Sequence, residues 1–154
     1  MWRNSLSGAR DLWTAVRMAG ANHFEPSIRQ GAKSWKLEGC PMDGGTAFAQ
    51  ADESFASVWQ RDGEIYFSAG PGNERKLGDG TQPVALSLRG ASHVWWQQGT
   101  KLMHAVIGEP EEPTIFARDA KFASAAVSAK DGAIVVAFER TIKQRKTIFA
   151  EVLR

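Results

Sequence analysis

Along this chain the apolar positions do not keep helical spacing. They gather in short runs of β-branched and aromatic residues, each opened or closed by a glycine or a turn dipeptide, as in DGEIYFS from Asp62 and DGAIVVAFE from Asp131. One unit recurs four times: an apolar strand ending in an aromatic and a polar pair, a short turn, and a second strand of mixed β-forming residues. The copies are WRNSLSGARDLWTAV from Trp2, VWQRDGEIYFS from Val58, VWWQQGTKLMHAV from Val94 and VAFERTIKQRKTIFAEV from Val136. With Trp2, Trp59, Trp96 and Phe138 taken as equivalent, the spacings are 57, 37 and 42 residues, which average about 45 and match a four-stranded repeat.

The pattern predicts an all-β chain: a partial β-propeller of about three and a half four-stranded blades, one domain over residues 1–154. The blades fall near 1–37, 46–77, 84–116 and 122–154. Within the second, strands are expected at TAFAQA, FASVW, EIYFS and near Arg75 to Leu77; within the third, at VALSL, SHVWW, KLMHAV and PTIF, with Gly90, Gly99 and Gly108 at the turns. The run Ala133 to Phe138 is apolar on consecutive residues, which implies burial on both sheet faces. The tryptophans then serve as fillers between blades. The first blade lacks its inner strand and most of its second, and the last lacks its outer strand. On this reading Arg154 is a natural end, Met1 is not, and the half ring self-associates or needs its missing blades.

Composition narrows the classes of function. Nineteen basic and seventeen acidic residues leave a net charge of +2 with no basic cluster, which argues against a nucleic-acid partner. No run approaches a membrane span, and Met1-Trp2-Arg3-Asn4 opens no signal region, so a secreted or periplasmic parent would carry its signal upstream. Cys40, the only cysteine, cannot form an intrachain disulfide and reads as a small buried hydrophobe. His23, His93 and His104 have no metal-site spacing, and GPGNERKLGDG from Gly70 lacks the strand-to-helix context of a phosphate loop, so neither metal nor cofactor is expected.

The stretches WRNSLSGARDLWTAVR (Trp2 to Arg17) and WKLEGCPMDGG (Trp35 to Gly45), with the repeated Trp-Gln and Trp-Arg strands, resemble the sialidase-like superfamily of BNR-repeat propellers, in the manner of a C-terminal fragment of a six-bladed ring. The family's Asp-box, S-x-D-x-G-x-T-W/F, lies in the turn between the third and fourth strands of a blade. Here its register falls on Arg17 to Phe24, with Phe24 in place, Gly20 one position before the box's glycine and Ala19 where the Asp would stand. The resemblance implies an arginine triad for a substrate carboxylate, a Tyr/Glu nucleophile pair and an Asp acid/base. Tyr66, the only tyrosine, reads as a core or inter-blade residue, and no triad maps onto this chain.

In such a ring, the loops joining second to third strands and those leading to the next blade share the ligand-binding face. They carry Arg3, Asn4, Arg10, Asp11, Arg61, Asp62, Gln97, Gln98, Glu139 and Arg140, together with Lys36, Asp43, Gln82 and Lys121. Forked cations, carboxylates and amides suit a glycan or another polar, anionic small ligand. Asp43, before Gly44-Gly45, is the one carboxylate placed as a candidate acid, with a turn-forming Asx motif as its other reading. Three functions stay open: a glycan-recognising propeller fragment inactive alone, part of an exo-α-sialidase with catalytic residues upstream, and a protein-interaction scaffold.

Overall fold

The computed structural model describes residues 1–4, 7–36, 45–52, 54–70, 72–109 and 112–153. Among them there are 14 strands and no helix. Sheet one holds β1 (Trp2–Arg3), β2 (Leu12–Thr14) and β3 (Ile28–Arg29); sheet two holds β4 (Thr46–Ala49), β5 (Phe55–Arg61), β6 (Glu64–Ser68) and β7 (Glu74–Asp79). Sheet three holds β8 (Thr81–Leu88), β9 (Ala91–Gln98), β10 (Lys101–Ile107) and β11 (Thr114–Arg118); sheet four holds β12 (Ala120–Val127), β13 (Ile134–Ile142) and β14 (Arg145–Leu153). Every sheet is an antiparallel meander in chain order, and none is closed.

Local chemistry sets these hairpins. Asp62-Gly63 and Arg89-Gly90 each place two consecutive residues at positive φ, the combination that matches the twist of the strands flanking a two-residue turn. Gly99 and Gly108, also at positive φ, fall at turns as their positions predict.

Successive sheets pack face to face. Ala56, Val58, Ile65, Phe67 and Leu77 of sheet two meet Ala85, Val94, Trp96, Met103 and Ala105 of sheet three in one core. Trp95, Leu102 and Ala117 on the opposite face of sheet three meet Ile134, Val136 and Phe138 of sheet four in a second core. Val94, Trp95 and Trp96 are therefore all buried, because both faces of their sheet are covered.

Two expectations are corrected. The run Ala133 to Phe138 was expected to be buried on both faces; Ile134, Val136 and Phe138 are, but Val135 and Ala137 are only half-buried, since no described sheet covers their side. The hairpin registers also place Arg140, not Phe138, level with Trp59 and Trp96. Each stands two residues before the last pair of its hairpin, Arg61↔Glu64, Gln98↔Lys101 or Ile142↔Arg145.

One backbone contact repeats. Gly80, linking sheets two and three, donates its N–H to Gly63 O in the β5–β6 turn (2.7 Å), and Ala120, at the start of sheet four, donates to Thr100 O in the β9–β10 turn (3.1 Å). In sheet one Arg10, in the β1–β2 loop, donates to Trp35 O in the link toward sheet two (2.7 Å). At each junction the link leaving a sheet is thereby held at that sheet's own turn end.

Candidate functional site

Among the described residues, a dense polar cluster lies at the junction of sheets one and two. The β1–β2 loop and the link after β3 clamp each other through Asp11: Oδ1 accepts the Trp35 N–H (3.0 Å), and Oδ2 accepts Ser34 Oγ (2.6 Å) and Arg29 Nη1 (3.4 Å). Partial burial alone would raise this carboxyl, but the bonds from Ser34, Trp35 and Arg29 prevail and hold it below the ordinary aspartate value. Arg3 donates to Arg10 O (3.1 Å) and Gln60 O (2.9 Å) and sets its guanidinium 5.0 Å from the Trp35 ring centre.

On the sheet-two side, Arg61 forms a two-pronged pair with Glu74: Nη1 to Oε2 at 2.7 Å and Nη2 to Oε1 at 2.6 Å. Its guanidinium lies 4.0 Å from the Tyr66 ring centre, and Nη1 also reaches Lys33 O (3.3 Å). Glu74 Oε2 accepts the Ala32 N–H as well (3.0 Å). The Glu74 bond raises the Arg61 value, while burial of Glu74 is outweighed by Arg61 and Ala32, so its carboxyl is held low. Tyr66 OH donates to Glu64 Oε2, and Lys76 bridges Glu64 (2.5 Å) and Asp79 (2.8 Å).

Between these groups opens a cleft of about 270 Å³. One wall is Lys33, Ser34, Trp35 and Lys36; the other is Arg61, Asp62, Glu64 and Tyr66. No family model, curated protein or solved structure matches this chain. What the cleft does must be read from its own geometry.

Several candidates expected in loops are strand residues, because pairing runs on to the turn: Arg3 ends β1, Arg61 ends β5, Gln97 and Gln98 end β9, Gln82 and Lys121 lie in β8 and β12, and Glu139 and Arg140 lie inside β13. Arg3, Asn4, Arg10, Asp11, Lys36 and Arg61 gather at the first junction, where Asn4 N donates to Asp11 O (2.9 Å) and Lys36 pairs with Ala9 through the backbone. Asp43 and Cys40 lie outside the described residues. At the last junction Lys121 and Glu139 pair across β12 and β13 and, with Thr100, Asp119 and Thr141, line a second cleft of about 240 Å³; Glu139 also bridges Lys146 (3.3 Å). Gln97 folds back onto its own turn, Nε2 to Gly99 O (2.5 Å), and Arg140 lies 5.3 Å from the Phe149 ring centre.

Sequence reasoning left Lys33, Trp35 and Glu74 out of the site, since only the folded link and the fourth strand bring them to Arg61. It also left His93 and His104 separate. Their rings meet, Nδ1 to Nε2 at 3.2 Å, with Trp95 stacked on His104 at 4.7 Å. The signal was available: in the β9–β10 register His93 faces Val106 and His104 faces Trp95, so the two are diagonal neighbours on one face. Among the described residues no group of three or more His, Cys, Asp or Glu side chains could hold a metal ion, and no helix is long and apolar enough to cross a membrane.

Proposed function

We propose that the four sheets are consecutive blades of a sialidase-like β-propeller, and that this chain helps to recognise a glycan or another polar, anionic ligand without catalysis of its own. Meanders stacked in chain order, with each link held at the same end of its sheet, support the blade reading. The carrying observation is the cleft at the first junction. Trp35 offers a partly exposed ring held at its backbone N–H and C=O, suited to the apolar face of a sugar. Lys33 and Lys36 line the same wall, and their positive charge suits an acidic substituent. Arg61 contributes shape more than charge, because Glu74 neutralises it.

The Tyr66–Glu64 bond favours a second reading, part of an exo-α-sialidase with these two as nucleophile and base. The proton balance opposes it. Burial first, then the Glu64 bond, raises the phenol, while the Lys76 bond first lowers Glu64, so the proton is held on the group that would have to lose it.

Calorimetric titration of the chain with sialyllactose and with lactose tests the proposal. The acidic sugar is expected to bind and the neutral one to bind at least tenfold more weakly, with Trp35→Ala and the double change Lys33→Ala, Lys36→Ala each weakening sialyllactose about tenfold or more. Equal affinity for both sugars, or affinity indifferent to these changes, would refute it. Release of 4-methylumbelliferone from its sialoside would establish the second reading instead.

A further inference from the structure

The two walls of the cleft at the first junction carry opposite charge. Lys33 and Lys36 line the wall made by the link after β3, whereas the wall made by the β5–β6 hairpin carries the carboxylates of Asp62 and Glu64. Glu64 is already satisfied, with Oε1 on Lys76 (2.5 Å) and Oε2 on the Tyr66 hydroxyl. Among the described residues, Asp62, Lys33 and Lys36 make no ion pair and no side-chain hydrogen bond.

Opposite charges that share a cleft without meeting need something to hold their walls apart, and here each wall has its own anchors. On the lysine side, Asp11 binds the Trp35 N–H (3.0 Å) and Ser34 Oγ (2.6 Å), and Glu74 binds the Ala32 N–H (3.0 Å). On the hairpin side, Asp62 occupies the first position of the two-residue turn at a φ of 54°, and the Gly80 N–H fixes Gly63 O (2.7 Å).

Arg61 sets the spacing. Its Nη1 reaches Lys33 O (3.3 Å), while Glu74 holds both prongs of the guanidinium and the Tyr66 ring lies against it (4.0 Å). Because Glu74 cancels Arg61 and Lys76 cancels Glu64, the charge left on the hairpin wall is that of Asp62, across the cleft from two lysines.

We propose that this cleft selects a zwitterionic monosaccharide, an acidic sugar that also carries an amino group. The acid meets Lys33 and Lys36, the ammonium meets Asp62, and the apolar face of the ring lies on Trp35. A cavity of about 270 Å³ lies at the small end of ordinary ligand sites, so it suits one ring. A plain anion leaves Asp62 without a charged donor, and a plain amine leaves the two lysines facing each other's charge. The inference rests on the reading of the cleft as a glycan site and adds the specificity that Asp62 confers.

Calorimetric titration of the full chain with glucosamine 6-phosphate and glucose 6-phosphate compares two sugars that differ in one group, at about pH 6, where the amine keeps its proton. The amino sugar is expected to bind at least about fivefold more tightly, since a charged donor bonds a carboxylate more strongly than a hydroxyl does. Asp62→Asn should abolish that preference without disturbing the hairpin, because Asn-Gly suits the same turn. The double change Lys33→Ala, Lys36→Ala should weaken both sugars alike and keep their ratio. Equal affinity of the parent chain for the two sugars, or a preference that survives Asp62→Asn, would overturn this inference alone; no binding of either sugar would overturn the glycan reading with it.

Discussion

Neutralising Glu74 offers the sharpest test of how the cleft is built. Glu74→Gln preserves the shape of the side chain and removes the charge opposite Arg61, whose side chain is only 9% exposed against 13% for Glu74. Two charge-assisted hydrogen bonds, worth roughly 1.5–3 kcal/mol each, fall to the roughly 0.5–1.5 kcal/mol of neutral ones, and the guanidinium keeps only partial compensation from Lys33 O and the Tyr66 ring. Solvent at the mouth of the cleft offsets part of this, so the net loss should be about 2 kcal/mol, or about 4–8 °C in Tm for a chain of this size.

The pH dependence carries a definite sign. Glu74 is held below its unfolded value of about 4.3, so the unfolded chain binds more protons in that window. The stabilisation is complete above the unfolded value and disappears as pH falls through the lower, folded one. Urea unfolding followed by tryptophan fluorescence should show the gap between parent and Glu74→Gln at pH 7, narrowing below about pH 4. A double-mutant cycle with Arg61→Met should return most of the gap as coupling. A gap under about 0.5 kcal/mol at neutral pH, or one unchanged in acid, would refute the ion pair as the clamp of this junction.

Two further outcomes are expected. A Cβ on Gly80 would collide with Gln97 O and approach Trp96 Cδ1 to 2.5 Å at a φ of +152°, so Gly80→Ala should cost about 2–4 kcal/mol, whereas Gly20→Ala, with nothing within 4 Å, should cost about 1 kcal/mol or less; equal costs in denaturant titration would rule out the contact as the cause. Burial first, then the neighbouring His93, lowers His104 to about 4, and burial lowers His93 against the opposing charge of Glu109. A depressed imidazole binds fewer protons folded than unfolded, so the chain should lose on the order of 2 kcal/mol, after allowing for solvent screening, as pH falls from about 6.5 to 4. His104→Leu should flatten that slope, and an identical slope in the variant would exclude the pair as its source.

Strand positions and turns were legible from residues alone because both depend on near neighbours. Asp62-Gly63 between Arg61 and Glu64 specifies a two-residue hairpin whatever surrounds it, and the Val58 and Val94 copies fall in matching registers. The repeat placed Arg3, Arg10, Asp11, Lys36 and Arg61 at or beside turns and links, but that these five gather at one junction depends on how the β1–β2 loop and the link after β3 fold against sheet two. The role of Arg61 was not. Nothing local ties it to Glu74, thirteen residues on and two strands away, and that tie turns it from an open cation into a neutralised wall of the cleft.

Alternation along a strand defines two faces but does not say what covers either one. Trp2, Trp59 and Trp96 are the same residue in comparable repeats, yet two are buried and one is exposed, because among the described residues only Trp59 and Trp96 have a sheet stacked against their side. The same cause leaves Val135 and Ala137 half-buried inside an apolar run. The sequence by itself determined the strands, their turns and the alternation of faces, all short-range consequences of side-chain shape and backbone preference. Only the tertiary structure decided which faces are dry, which charges are paired and where Trp35 stands, because each depends on a neighbour contributed by a distant part of the chain.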